Sequence, residues 1–196
     1  MLSSIHPLGE RTRNNRWGLT VAYYLAGGLM GGLVLGAVAG GIGWLGLAWW
    51  DPTPTGRAMA IPAILAIALV WDLSGFAIPT IHRQVNEDWL SMYRSWVYGG
   101  GFGFQLGLGV VTIVTTTAVY AMIALAILSA QPLSGAVIGG AFGLVRGLPI
   151  LTVGRVVSGE TLRTYHRRMQ SYAPRADWLV RFAVTATGLI VIGGSL

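Results

Sequence analysis

Cysteine is absent from this 196-residue chain, and every one of its thirteen basic residues is arginine. Without a thiol, disulfides, thiol redox chemistry and Cys-ligated metal are excluded. Charge of either sign is scarce, at 10% of residues, where a soluble domain carries about 25%. Between Arg94 and Arg146 there is no charged residue at all. The three histidines, His6, His82 and His166, stand far apart in sequence and do not point to a metal site. No cofactor is expected.

What is present is apolar. Hydrophobic residues make up 54% of the chain, and they fall in long runs, the pattern of membrane spans rather than of a soluble core. The formal net charge of +6 does not indicate nucleic acid, because no basic groove with interleaved aromatics occurs. The arginines gather instead at the ends of apolar runs, where they set topology and meet anionic headgroups. The first apolar run is far longer than the 7–15 residues of a signal peptide, so it is expected to stay as a first span.

Taken in order, residues 1–16 are polar. Span 1 covers residues 17–50, 34 residues without a charge. As one helix it would extend about 51 Å at 1.5 Å per residue, against a hydrocarbon core of about 30 Å. It must tilt, project or break, and the glycine pairs at 27–28, 31–32 and 40–41 are candidate break points. Span 2 covers about residues 58–81 and holds Pro62, Asp72, Gly75 and Pro79. In the polar loop 82–96, Val85, Trp89, Met92 and Trp96 recur at helical spacing, a short helix either on the membrane or packed under the bundle. Span 3 covers about residues 97–128, again too long for one perpendicular helix. Span 4 covers 133–153. In the second polar loop, 154–177, Leu162, Tyr165, Met169 and Tyr172 repeat the amphipathic pattern. Span 5 covers 178–196.

The expected fold is therefore all-α, a polytopic transmembrane helical bundle of about five spans forming a single integral membrane domain. The arginine distribution orients it. Three arginines in the N-terminal segment and those of the two polar loops mark the cytoplasmic side, leaving Arg57 alone opposite. This places the N-terminus in the cytoplasm and the C-terminus outside a prokaryotic cytoplasmic membrane. Arg83, Arg94, Arg155, Arg163, Arg167 and Arg168 are the expected membrane-surface contacts, with anionic lipid headgroups as partners.

A duplication is also legible. A shift of 72 residues pairs Gly75 with Gly147, Thr80 with Thr152, Arg83 with Arg155, Leu90 with Leu162 and Tyr93 with Tyr165, without a gap. Gly27, Gly28 and Gly31 fall on Gly99, Gly100 and Gly103. Residues 17–96 and 97–177 then form two units of the same orientation, followed by the final span.

Three polar residues on different spans reach one depth. At 1.5 Å per residue, Asp72 lies about 16 Å from Arg83, Arg146 about 14 Å from Arg155, and Gln105 about 16 Å from Arg94. Ionisable groups at that depth need partners or a wet cavity. Asp72, Gln105 and Arg146 thus form a candidate midplane polar site, with Thr112, Thr115, Thr116 and Thr117 as candidate path lining. The bland alternative is a structural Asp72–Arg146 pair. The glycines at four-residue spacing, such as Gly28-x3-Gly32 and Gly139-x3-Gly143, read first as helix-packing surfaces. No nucleophile–base pair, carboxylate dyad or metal cluster shares a depth, so no catalytic residue is assigned.

At Gly101-Phe102-Gly103-Phe104-Gln105-Leu106-Gly107 and at Gly140-Ala141-Phe142-Gly143-Leu144-Val145-Arg146-Gly147-Leu148-Pro149 the chain resembles the glycine-rich spans of small prokaryotic membrane proteins of the CcdA/DsbD-like and sulfite-exporter-like type. The electron carriers in that group use paired membrane cysteines, which this chain lacks. The resemblance therefore implies a related shape and no thiol chemistry. On these grounds the leading expectation is a permease-like protein handling a small anionic solute. The alternative is a non-catalytic subunit or assembly protein of a larger membrane complex. Either would work as a homo-oligomer or with partner membrane subunits.

Overall fold

The computed structural model describes residues 5–47, 54–80, 89–110, 114, 116–155, 158, 160–161, 163–164 and 167. The elements are α1 (Pro7–Thr12), α2 (Trp17–Leu47), α3 (Pro54–Ser74), α4 (Trp89–Met92), α5 (Ser95–Leu108), α6 (Ala118–Leu128) and α7 (Pro132–Gly147), then a 3-10 stretch, Leu148–Arg155. No strand occurs among the described residues. The expectation of an all-α chain is met.

The axis of the molecule is α2. Its 31 residues contain no proline and no charge, so nothing interrupts its hydrogen-bond ladder or draws it into water. It does not break at its glycines. They are the surfaces on which other backbones rest. A Cβ at Gly32 would overlap the Gly139 carbonyl oxygen, one at Gly36 the Gly135 carbonyl, and one at Gly27 the Gly100 carbonyl. Helices approach this closely only where small residues remove the side-chain layer, and dispersion between backbones replaces it.

These contacts also give direction. Thr20 lies beside Gly99 and Gly28 beside Gly107, so α5 runs parallel to α2. Gly28 lies beside Gly143 and Gly40 beside Gln131, so α7 runs antiparallel. The glycine-dense stretch 95–149 thus wraps α2.

Span 3 differs from its expected form. It follows α2 along most of its length, since Gly43 meets Ile127, but it is two helices. α5 ends at Gly109, whose φ of +66° and ψ of −54°, with the Val110 amide donating to the Leu108 carbonyl, form a γ-turn that favours glycine. The next helix among the described residues begins at Ala118. At 1.5 Å per residue α5 is about 21 Å long and α6 about 17 Å, each short of a hydrocarbon core of about 30 Å. α3 likewise ends early, before Gly75 with φ +70°, and residues 76–80 are not helical. α7 tightens into 3-10 turns at Leu148–Arg155 because Pro149 lacks an amide hydrogen and crowds the preceding turn.

Among the described residues two helices are long and apolar enough to cross a membrane, Trp17–Gly46 and Pro132–Gly154. The expected span 5 and the amphipathic face of loop 154–177 lie outside the described residues. In loop 82–96 the described residues before α5 form the single turn α4. Within it Trp89 turns inward, stacked on Phe102 at 6.0 Å, while Met92 and Trp96 are exposed. The expected single apolar face is therefore divided between core and surroundings.

The best-packed region is one end of the bundle, where Ile5, Val21, Tyr24, Leu90, Tyr98, Phe102 and Ile150 form a continuous core. Elsewhere large apolar side chains face outward. Met30, Val38 and Ile42 on α2, Ile67 and Val70 on α3, and Leu133, Val137 and Val145 on α7 are all exposed. A soluble monomer rarely tolerates that much exposed apolar surface.

Candidate functional site

The break between α5 and α6 is where the predicted polar residues are found. A broken helix leaves carbonyls unpaired at the end of one segment and amides unpaired at the start of the next. The half-buried Arg146 serves the first. Its Nη1 donates to the Leu106 carbonyl at 3.5 Å, near the C-terminus of α5, and its guanidinium lies 6.0 Å from the Phe142 ring centroid. Asp72, on α3, serves the second. Its Oδ1 accepts the Thr117 amide at 2.9 Å, at the start of α6. The signs match the helix dipoles, with a cation at a C-terminus and a carboxylate at an N-terminus.

Threonines complete the arrangement. Thr117 Oγ1 donates to the Ala68 carbonyl at 2.8 Å, and the Val114 amide donates to Thr80 Oγ1 at 2.8 Å. Together these tie α3 and the residues after it to the break. Gln105 is half-buried on α5, one residue before the carbonyl that Arg146 holds. Thr116 is half-buried beside Thr117. Thr112 and Thr115 lie outside the described residues. Among the described residues no three His, Asp or Glu side chains gather as a metal would require.

A second polar centre has no counterpart in the sequence reading. Glu10 is fully buried at the packed end of the bundle. Its Oε2 accepts from Tyr98 Oη at 2.5 Å and from Thr20 Oγ1 at 2.7 Å, and Oε1 pairs with Arg13 Nη1 at 3.2 Å. Asn15 Nδ2 donates in turn to Tyr98 Oη at 3.2 Å. One carboxyl thereby joins α1, α2 and α5. The local signal for α1 was present, since His6 caps it through Gly9 and Pro7 opens it. Nothing local announces that Tyr98, 88 positions away, is the partner.

The surface arginines separate by position. Arg94 is exposed at the cap of α5, and Arg163 and Arg167 are exposed. Arg155 closes the 3-10 stretch. Arg83 and Arg168 lie outside the described residues. An apolar cavity of about 360 Å³ opens between α3 and α6, lined by Ile64, Ile67, Trp71, Ile78, Tyr120 and their neighbours. Tyr120 closes one side by donating its hydroxyl to the Pro79 carbonyl.

Comparison with known proteins gives one consistent result. The chain is 29% identical over 196 residues to methylamine utilization protein MauF of Methylophilus methylotrophus, covering 97% of this chain and 68% of that protein. It is 30% identical over 189 residues to the MauF protein of Paracoccus versutus, covering 94% and 68%. For the MauF protein of Paracoccus denitrificans the identity is 29% over 174 residues, covering 87% and 61%. No family model matches, and no solved structure matches.

Two expectations are thereby corrected. The resemblance to CcdA/DsbD-like and sulfite-exporter-like proteins does not hold, because the relatives are consistently methylamine utilization proteins. It rested on glycines such as Gly103, Gly107, Gly140 and Gly143. The structure uses these to bring α5 and α7 against α2, a packing need that unrelated membrane bundles share. The permease-like reading, with its midplane site for an anionic solute, is overturned by the same relatives, none of which carries a transporter's name. The alternative of a non-catalytic accessory protein agrees better with them.

Proposed function

The chain belongs to the MauF family of methylamine utilization proteins, and from that premise we propose that it is a membrane-embedded, non-catalytic accessory component of methylamine utilization. It acts as a subunit or assembly partner of a larger membrane complex. The observation that carries this reading is the family membership over nearly the whole chain. The exposed apolar faces of α2, α3 and α7 support the membrane part of it.

In this reading the bundle has about five spans, the last supplied by residues 178–196. The N-terminus is cytoplasmic and the C-terminus outside. The parallel course of α2 and α5 supports two duplicated units, 17–96 and 97–177, of one orientation. Asp72 and Arg146 act as structural anchors of the α5–α6 break, with Gln105, Thr116 and Thr117 beside it. Anionic lipids contact the arginine-bearing end, and other membrane subunits or further copies cover part of the apolar surface.

Co-purification tests the proposal. Cells grown on methylamine are solubilised in mild detergent and the tagged chain is recovered. The expected result is stoichiometric recovery of other methylamine utilization proteins. Recovery of the chain alone, at every detergent tried, contradicts an accessory role within a complex.

A further inference from the structure

At the end of the bundle where α2 and α5 begin, we infer a binding site for an anionic phospholipid, its phosphate held between Arg16 and Arg94 and one acyl chain laid along the outer α2–α5 groove. The inference rests on the membrane reading proposed above. Both arginines are exposed. Arg16 stands at the start of α2, where its carbonyl accepts from the Leu19 and Thr20 amides. Arg94 caps α5. The two helices start side by side, since a Cβ at Gly99 would stand 2.8 Å from the Thr20 carbonyl oxygen. The arginines therefore enter the bundle at the same level.

Directly inward of them lies an aromatic pair. Tyr23 and Trp96 have ring centroids 6.5 Å apart and are 46% and 54% exposed. Further along, Met30 on α2 and Phe104 on α5 are also exposed. Arg16, Tyr23 and Met30 follow at intervals of seven, which keeps them on one stripe of α2. On α5, Trp96 meets Tyr23, and Phe104, eight residues on and about 80° further round the helix, stands where α5 passes Gly31 of α2. Tyr23 to Val34 spans about 16 Å at 1.5 Å per residue, a distance suited to part of an acyl chain.

The order along the groove is cation, aromatic, aliphatic. That is the order of phosphate, interface and hydrocarbon in one leaflet. The opposite end is different. Ser129, Ala130, Gln131 and Pro132, which meet α2 near Gly40, carry no charge. An acidic protein would match the arginines alone. A phospholipid matches the arginines, the aromatic pair and the apolar groove together.

The test uses the full chain purified in mild detergent, titrated with phosphatidylglycerol or phosphatidylcholine and read by native mass spectrometry. The wild type is expected to retain phosphatidylglycerol preferentially. R16Q/R94Q should lose about fivefold in that preference per arginine, about 25-fold for both. R16K/R94K, which keeps the charge, should lose less than about fivefold and guards against a folding defect. Unchanged preference in R16Q/R94Q overturns the site. So does a co-purifying acidic protein lost from R16Q/R94Q while the lipid preference stays intact. Retention in alkaline-washed membranes without any phosphatidylglycerol preference overturns the site alone. Release by alkaline carbonate overturns the membrane reading and the site with it.

Discussion

Glu10 shows what a single buried carboxyl does in this chain. Its two oxygens are shared among Tyr98, Thr20 and Arg13, so the short helix α1 is tied to two longer ones through one side chain. Removing it leaves the Tyr98 and Thr20 hydroxyls buried without their acceptor. Leaving such groups unsatisfied costs about 1–3 kcal/mol each. Glu10→Ala is expected to lower the thermal midpoint of the purified protein, by an amount corresponding to about 2–6 kcal/mol. Glu10→Gln, which keeps an acceptor oxygen, should lose less. Equal melting of Glu10→Ala and wild type would show that the cluster does not hold the end of the bundle. The centre was not legible in the sequence because its members are 10 and 88 positions from Glu10. Local pattern marks α1, through His6 and Pro7, but partner choice across that separation is a tertiary property.

At the scale of the element, glycine has two separate uses, and the sequence distinguishes only one of them. The four-residue spacing of Gly28, Gly32, Gly36 and Gly40 against Gly135, Gly139 and Gly143 is readable as a packing face, and the structure uses it so. The break at Gly109 is not readable, because nothing near it separates this glycine from the others on α5. Its positive φ belongs to a turn that no local residue pattern marks. Asp72 and Arg146 were legible as polar residues at matched depth. That each reaches a different end of a broken helix was not, because the break itself was hidden. A paired substitution tests the packing seam. Gly32→Ala drives a Cβ into the Gly139 backbone and is expected to destabilise by about 1–3 kcal/mol, as overpacking does. Gly41→Ala meets nothing within 4 Å and should be neutral or gain up to about 1 kcal/mol from helix propensity. Detergent melting curves of the two variants provide the comparison, and similar curves would deny the seam its role.

For the whole molecule, composition carried the helical class. A chain with 10% charged residues and long apolar runs reads as helical and suited to an apolar solvent, and its described helices expose apolar faces. The number of crossings was less accessible, because the longest apolar run after α2 turned out to be two short helices. The missing cysteines make the topology directly measurable. Single cysteines placed at Arg94 and at Ser134, at opposite ends of the bundle, are expected to react with a membrane-impermeant thiol reagent from opposite sides, Arg94→Cys from the cytoplasmic side. Labelling of both from one side would refute the proposed orientation. Function was the least legible property. The glycine motifs that suggested permeases are packing surfaces, and methylamine utilization leaves no motif that chemistry alone would identify in this chain.

The central claim is that this protein serves methylamine utilization from within the membrane. Its most direct test is growth of a strain of the native host deleted for this chain, on methylamine and on an unrelated carbon and nitrogen source. The account predicts failure on methylamine, normal growth otherwise, and rescue by the intact chain supplied in trans. Unimpaired growth of the deletion strain on methylamine would contradict it.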